Sequence, residues 1–327
     1  MIDADRNLAA AIAAARAKQD AGELLRIGGD LEREGMFADA WTLLAEGGEI
    51  RKPPQLPLWQ GPGSGGDCLL VRRRIRHLGA ELRNARLIAR AVRDVPQVIV
   101  ATEMRLVPLL SRSFPGARFV DVNDSHALRE ADCETSYERL ALFYGRAGPA
   151  IEASFQPLVP PRPSGAADGL GIAWHSTNAR KPLPTLADWA DVISSVGARV
   201  QSLQYDEQQA GLGALQALAG RSVEVSPIDQ KQDVDGFAAL VASVEMVLTI
   251  SNTTAHMAGA LGVPCVVVLD DLDHLTWPAH GDRTPFYPNL RTIRQHGRPW
   301  PDVLRHGLAA LHALVRSKDL VLNHAHQ

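Results

Sequence analysis

Residues Met246–Leu269 read MVLTISNTTAHMAGALGVPCVVVL, and this order of residue types decides the fold. The run Met246–Ile250 is short and apolar without alternation, the pattern of a strand covered on both faces. Four residues with hydroxyl or amide side chains follow, Ser251, Asn252, Thr253 and Thr254. A small-residue helix over Thr253–Leu261 comes next, with Gly262 placed to cap its end and Pro264 placed to prevent its continuation. Cys265–Leu269 is a second buried strand. A strand, a helix and a strand in this order make a βαβ unit, which requires parallel pairing.

The same alternation extends upstream. Strand Leu170–Trp174 leads to helix Thr185–Val196, and strand Val200–Gln204 to helix Glu207–Ala219. Strand Ser222–Val225 leads to helix Val234–Val244. Downstream, Pro301–Val315 is a further helix. Five strands alternating with helices predict a doubly wound, Rossmann-like domain. A weaker copy of the pattern precedes it: strand Cys68–Val71, helices through Val92, strand Gln97–Ala101, helix Arg105–Ser113, strand Ala117–Val122, and a helical stretch over Ser125–Gly148. Between the two copies lies PLVPPRP, Pro157–Pro163, the best linker in the chain. Before the first copy, Leu24, Leu31, Phe37, Trp41 and Leu44 recur at helical spacing. Pro53, Pro54, Pro57 and the glycine-rich Gly61–Asp67 close that segment. The expected class is α/β with three parts: a small helical segment 1–56, a Rossmann-like domain 57–160 and a second Rossmann-like domain 161–327.

Composition bounds the function. The chain has 327 residues, 46% apolar and 22% charged, with a net charge of −3. That balance does not suit nucleic acid or an anionic membrane as the main partner. No apolar run is long enough to span a bilayer. The N-terminal sequence lacks the basic-then-apolar order of a secretory signal. Cys68, Cys133 and Cys265 are scattered and odd in number, with no metal-binding spacing. A cytoplasmic, reducing setting is expected. Arg72, Arg73, Arg74 and Arg76 form either a solvated strand end or an anion patch.

The residues that can carry chemistry cluster after the strands. A helix N-terminus offers unpaired N–H groups and a positive dipole end, so Ser251–Thr254 suit a diphosphate, or serve as an ordinary cap. His256 is either a core histidine or a phosphate or acceptor contact. GIAWHSTNARK, Gly171–Lys181, ends a strand in a polar loop. Its Lys181 pairs with phosphate or is solvated. QSLQY, Gln201–Tyr205, ends the next strand beside a possible nucleobase. Asp270–Gln295 is rich in proline and in Trp277, Phe286 and Tyr287, which suits a loop wall over a ligand or simple packing.

Taken together, ISNTTAHMAGALGVP, GIAWHS, VQSLQ, DVDGFAAL (Asp233–Leu240) and TPFYPNLRTIRQ (Thr284–Gln295) resemble, in order, the second domain of bacterial GT-B glycosyltransferases of the heptosyltransferase-like type. GMFADAWTLL (Gly35–Leu44) resembles half a tetratricopeptide repeat, pointing to members that carry such repeats. The resemblance implies a nucleotide-sugar donor bound without a metal or other cofactor. It implies a substrate-binding set of Trp174, His175, Ser176, Lys181, Gln204, Tyr205, Ser251, Asn252, Thr253, Thr254 and His256. Of these, Ser251–Thr254 and His256 would face the donor phosphates, Lys181 would offset charge on the leaving group, and Gln204 and Tyr205 would lie near the base. The acceptor would be a protein or a glycan such as lipopolysaccharide.

The first domain departs from the family pattern. Relatives carry G-x-G-D after the first strand, whereas this chain has His77-Leu78-Gly79-Ala80-Glu81. Ala80 stands where the acid belongs, leaving His77 and Glu81 as the nearest titratable groups for a general base. Two readings follow: an inverting glycosyltransferase, or a glycosyltransferase-like module that binds a sugar nucleotide or partner protein without turnover. A dehydrogenase is disfavoured, since no GxGxxG follows a strand with an acid at the right distance.

Overall fold

The computed structural model describes residues 2–74, 78–161, 167–176, 182–205, 211–272 and 277–324, apart from the side chains of 2–5 and 318–324. His77 and Lys181 therefore lie outside the described residues. The chain divides into two compact units. The first comprises residues 1–155 with 274–280, and the second 156–273 with 281–327.

The first unit opens with helices α1 (Ile2–Ala17), α2 (Ala21–Arg33) and α3 (Phe37–Arg51). Then follow β1 (Cys68–Arg72), α4 (Leu78–Asn84), α5 (Ile88–Asp94), β2 (Gln97–Thr102), α6 (Val107–Ser113) and β3 (Arg118–Asp121). The unit continues through α7 (His126–Glu130), β4 (Cys133–Ser136), α8 (Tyr137–Tyr144) and α9 (Gly148–Ala153). Its sheet is parallel, in the order β3-β2-β1-β4.

The helical segment is not a separate body. Trp41 on α3 is fully buried, and its indole Nε1 donates to the Gly145 carbonyl just after α8 at 2.7 Å. A helical hairpin too small to bury its own face has docked on the domain that follows it. The proline segment after α3 also belongs to the sheet. Leu58 bridges Glu134 in parallel, and the Trp59 N–H donates to the Glu134 carbonyl at 2.9 Å.

Strand β4 interrupts the stretch expected to be helical over Ser125–Gly148. Its sequence, CETS, carries a glutamate at its centre. Glu134 is nevertheless fully buried, because Arg72 and Arg74 both pair with it. One of its oxygens also accepts from the Gln55 and Leu56 N–H groups, at 2.9 and 3.0 Å.

The second unit contains β5 (Leu170–Ala173), α10 (Leu186–Ser195), β6 (Val200–Ser202), α11 (Leu212–Ala219) and α12 (Val234–Ala242). It ends with β7 (Met246–Ile250), α13 (Thr253–Leu261), β8 (Cys265–Leu269), β9 (Leu290–Arg294) and α14 (Trp300–His324). The sheet is all parallel, in the order β6-β5-β7-β8-β9. Every residue of β5, β7 and β8 is buried, as the unalternating apolar runs require. Trp189 and Ile193 of α10 and Leu304 and Leu311 of α14 join Ile172, Leu248 and Val266 in one core cluster.

Two sequence expectations change here. Ser222–Val225 is not a strand; only Glu224 forms a parallel bridge, to Gln201. LRTIR, expected to lie in a loop, forms β9 on β8. With the Glu224 bridge as a vestigial third strand, the order matches the six-stranded Rossmann sheet, and the switch point falls between β5 and β7.

Candidate functional site

Ligands of open parallel sheets bind beyond the carboxyl ends of the strands, where the strand order reverses. In the second unit that point is flanked by the loops after β5 and β7. Ser251–Thr254 end β7 and begin α13. Asn252 is the N-cap: its backbone is extended, and its Oδ1 accepts from the Ala255 N–H at 3.2 Å. The Thr249 hydroxyl, the single polar group in β7, lies 3.0 Å from the Ala173 carbonyl and 3.3 Å from the same Oδ1. The Ala255 N–H, which can only donate, fixes which way the Asn252 amide is turned. Its Nδ2 is buried and has no hydrogen-bond partner among the described residues. Leaving such a donor unpaired costs about 1–3 kcal/mol, a cost a bound acceptor would remove.

Thr254 is fully buried and donates to the Leu203 carbonyl at 3.3 Å, tying the helix start to the end of β6. Ser251 is buried at the same turn. His256, one turn into the helix, has its Nδ1 3.1 Å from the Tyr287 hydroxyl, and the two rings meet edge to face. A Cβ on Gly259 would lie 2.6 Å from the Tyr287 ring, so glycine is what lets this aromatic pack against α13. The helix closes on Gly262 with φ 74°, in the left-handed region.

The ends of β5 and β6 are bracketed by one side chain. Gln204 is fully buried; its Oε1 accepts from the Trp174 and His175 N–H groups at 3.1 and 2.9 Å. Its Nε2 donates to the Tyr205 carbonyl at 3.1 Å. Gln204 thus shapes the edge. Trp174 and Ser176 are buried, while His175 and Tyr205 are partly open. Lys231, from the loop before α12, holds its ammonium 5.8 Å from the Tyr205 ring centre, a cation–π distance.

The described site residues thus fall into two groups. Ser251, Asn252, Thr253 and Thr254 gather at the helix start, and Trp174, His175, Ser176, Gln204 and Tyr205 at the neighbouring strand ends. Thr249 escapes sequence reasoning as an individual residue, although a threonine inside MVLTI was a legible signal. Phe286 and Tyr287 are core residues, the packing alternative to a loop wall over a ligand. Asp270 is buried and caps the Leu272 N–H, while Asp271 accepts from the His296 and Gly297 N–H groups. Among the described residues no three acidic, histidine or cysteine side chains gather to hold a metal.

In the first unit the strand ends are filled by ion pairs. Arg73 pairs with Glu81 at 3.0 Å and Glu103 at 2.6 Å, and Thr102 donates to the other Glu81 oxygen. Arg72, Arg73 and Arg74 form neither a solvated end nor an open anion patch, since all three meet carboxylates, while Arg76 lies outside the described residues. Glu81 is 2% exposed with both oxygens engaged, a load-sharing position in the fold. Burial holds its carboxyl above the usual range against the pull of Thr102 and Arg73. Burial likewise raises Glu138, whose Oε2 has no hydrogen-bond partner among the described residues.

No family model matches the chain. Among solved structures, the ADP-heptose lipopolysaccharide heptosyltransferase II of Escherichia coli superposes with a TM-score of 0.51 at 14% identity, covering 77% of this chain and 99% of its own. The fold is that of heptosyltransferase-like GT-B glycosyltransferases. A glycosyltransferase family 9 protein of Veillonella parvula superposes at TM-score 0.52 and 10% identity, covering 77% of this chain and 97% of its own. Among curated proteins, protein FlbA of Caulobacter vibrioides is 25% identical over 267 residues, 71% of this chain and 44% of FlbA. The chain therefore spans less than half the length of that relative. Among the described residues, no helix is long and apolar enough to cross a membrane.

Proposed function

We propose that the chain is a metal-independent glycosyltransferase of the GT-B type. It transfers a sugar from a nucleotide-sugar donor to a protein or glycan acceptor, lipopolysaccharide included. The observation that carries this reading is the neutral donor set at the start of α13, where the Asn252 Nδ2 is buried and unpaired beside helix N–H groups. A diphosphate is the ligand such a site completes. Lys181, between β5 and α10 in the sequence, supplies the cation that offsets charge growing on the leaving nucleoside diphosphate. Tyr205 lies toward the base. The α2–α3 hairpin supports kinship with members that carry tetratricopeptide repeats, and suits a protein acceptor. The buried cysteines Cys68, Cys133 and Cys265 are all free, which fits a cytoplasmic setting.

In the transfer, the acceptor hydroxyl loses its proton to a base as its oxygen attacks the anomeric carbon. The bond from that carbon to the phosphate oxygen breaks, and the nucleoside diphosphate leaves with the electron pair. Of the two bases considered, His77 is favoured, because Glu81 has both oxygens occupied. The second reading, a binding module without turnover, is favoured by Ala80 at the usual acid position.

The test is release of nucleoside diphosphate from a panel of nucleotide sugars with candidate acceptors, in wild type, His77→Ala and Glu81→Gln. His77→Ala is expected to lose about 10²–10⁴-fold in rate, and Glu81→Gln to retain most of it. Wild-type rates in His77→Ala would refute the base assignment. Nucleotide binding without release from any donor would establish the module reading instead.

A further inference from the structure

The imidazole of His175 stands at the switch point with no task in the fold. Leu170, Ile172 and Trp174 point into one core cluster with Trp189 and Ile193 of α10 and Leu304 of α14. Side chains alternate along a strand, so Gly171, Ala173 and then His175 belong to the other face. That face carries α13, whose buried Ala255, Met257 and Ala258 lie outside the cluster. β5 and β7 pair Ala173 with Thr249, whose hydroxyl lies 3.0 Å from the Ala173 carbonyl. Two residues further on, the same register sets His175 beside Ser251, at the turn into α13.

The backbone of His175 is held, but its ring is not. The His175 N–H donates to the Gln204 Oε1 at 2.9 Å. The side chain is partly open, and neither ring nitrogen has a hydrogen-bond or ion-pair partner among the described residues. The adjoining elements bring three other described titratable groups to this edge. Lys231 meets the Tyr205 ring, and His256 meets Tyr287. The carboxylates after β8 hold backbone instead: Asp270 accepts from the Leu272 N–H, and Asp271 from those of His296 and Gly297. Arg180, Lys181, Asp206 and Glu207, from the segments that follow β5 and β6, lie outside the described residues.

The diphosphate of a nucleotide sugar carries two negative charges. Lys181 offsets one of them, and the Asn252 amide with its buried, unpaired Nδ2 is neutral. A charge taken out of water must be compensated, and an adjacent anion favours the charged form of an imidazole. We propose that His175 is the second cation of the donor site, taking a proton from solvent as the diphosphate binds and donating it to a phosphate oxygen. This rests on the nucleotide-sugar reading above and adds to it a proton bound together with the ligand.

The experiment is calorimetry with ADP-glucose, UDP-glucose and GDP-mannose, whose diphosphates are esterified at both ends and do not titrate near neutral pH. The tightest of them is titrated into wild type and His175→Gln in buffers of different ionisation enthalpy. The series runs from about pH 6 to about 8.5, across and above the ordinary imidazole range. Wild-type binding is expected to take up protons, read as an enthalpy that varies with the buffer. Its affinity should be full where the ring is already protonated and fall as pH rises, by up to about tenfold per unit. His175→Gln is expected to take up no proton, to bind more weakly than wild type at the acid end and to match it at the alkaline end. Wild-type binding without proton uptake overturns the proposal whatever the variant does, and leaves the nucleotide-sugar reading standing. Proton uptake that persists in His175→Gln overturns it as well. A wild type that binds none of the three, nor the matching nucleoside diphosphates, overturns both.

Discussion

The two parallel sheets end in opposite ways. At the carboxyl edge of the first unit, Arg72 and Arg74 meet Glu134, and Arg73 meets Glu81 and Glu103. At the switch point of the second, the described side chains that shape the helix start are neutral: Thr249, Asn252, Thr254 and Gln204. Buried charges must be compensated within the protein or by tightly bound partners. Neutral donors can be left for a ligand at a smaller cost. The first edge has used its charges on its own architecture. The second holds a prepared set of donors, of which the Asn252 Nδ2 remains unpaired.

The largest expected effect probes the self-compensated edge. Glu134→Ala strands Arg74, itself 4% exposed, and removes the acceptor for the Gln55 and Leu56 N–H groups. Breaking a buried pair from one side costs about 3–5 kcal/mol. Denaturant unfolding should show that loss. A change within about 0.5 kcal/mol, the range of ordinary surface substitutions, would mean that the edge is solvated and the contrast between the units is false.

A smaller effect concerns pH. Burial raises the carboxyl of Glu138, so its folded form binds a proton more readily than its unfolded form. The stability this contributes is full below the usual carboxylate range and is lost as pH rises through the raised value. Glu138→Gln stays neutral throughout. Its melting temperature should gain on wild type progressively from about pH 4.5, the ordinary glutamate range, toward pH 8. Glu32 and Glu81 are raised by the same cause, so wild type should keep part of its slope in the variant. Parallel curves for the two proteins would show that Glu138 carries none of it.

Most of the second unit was legible because its strands obey the rule for buried parallel sheets. Met246–Ile250, Thr253–Leu261 and Cys265–Leu269 fall where the apolar runs and helix signals set them. The elements that reasoning missed carry charge. CETS reads as part of a helix until Arg72 and Arg74 are seen to neutralise Glu134. LRTIR reads as loop because prolines precede it and two arginines flank its core residues. Both are cases in which tertiary pairing overrides local propensity. Of the site, the helix start was legible from spacing. The bracket made by Gln204 was not, because nothing in a sequence distinguishes an amide that holds backbone from one that meets a ligand.

The most direct test of the account is calorimetric titration of nucleoside diphosphates into wild type, Asn252→Asp and Lys181→Ala, with magnesium and again with chelator. Asn252→Asp keeps the oxygen that caps Ala255 and exchanges the unpaired donor for a second acceptor. The account predicts binding in wild type that is indifferent to the metal. Each variant should bind about tenfold weaker or more, the loss of one charge-assisted hydrogen bond. Affinity unchanged in both variants, or binding that requires magnesium, would contradict it.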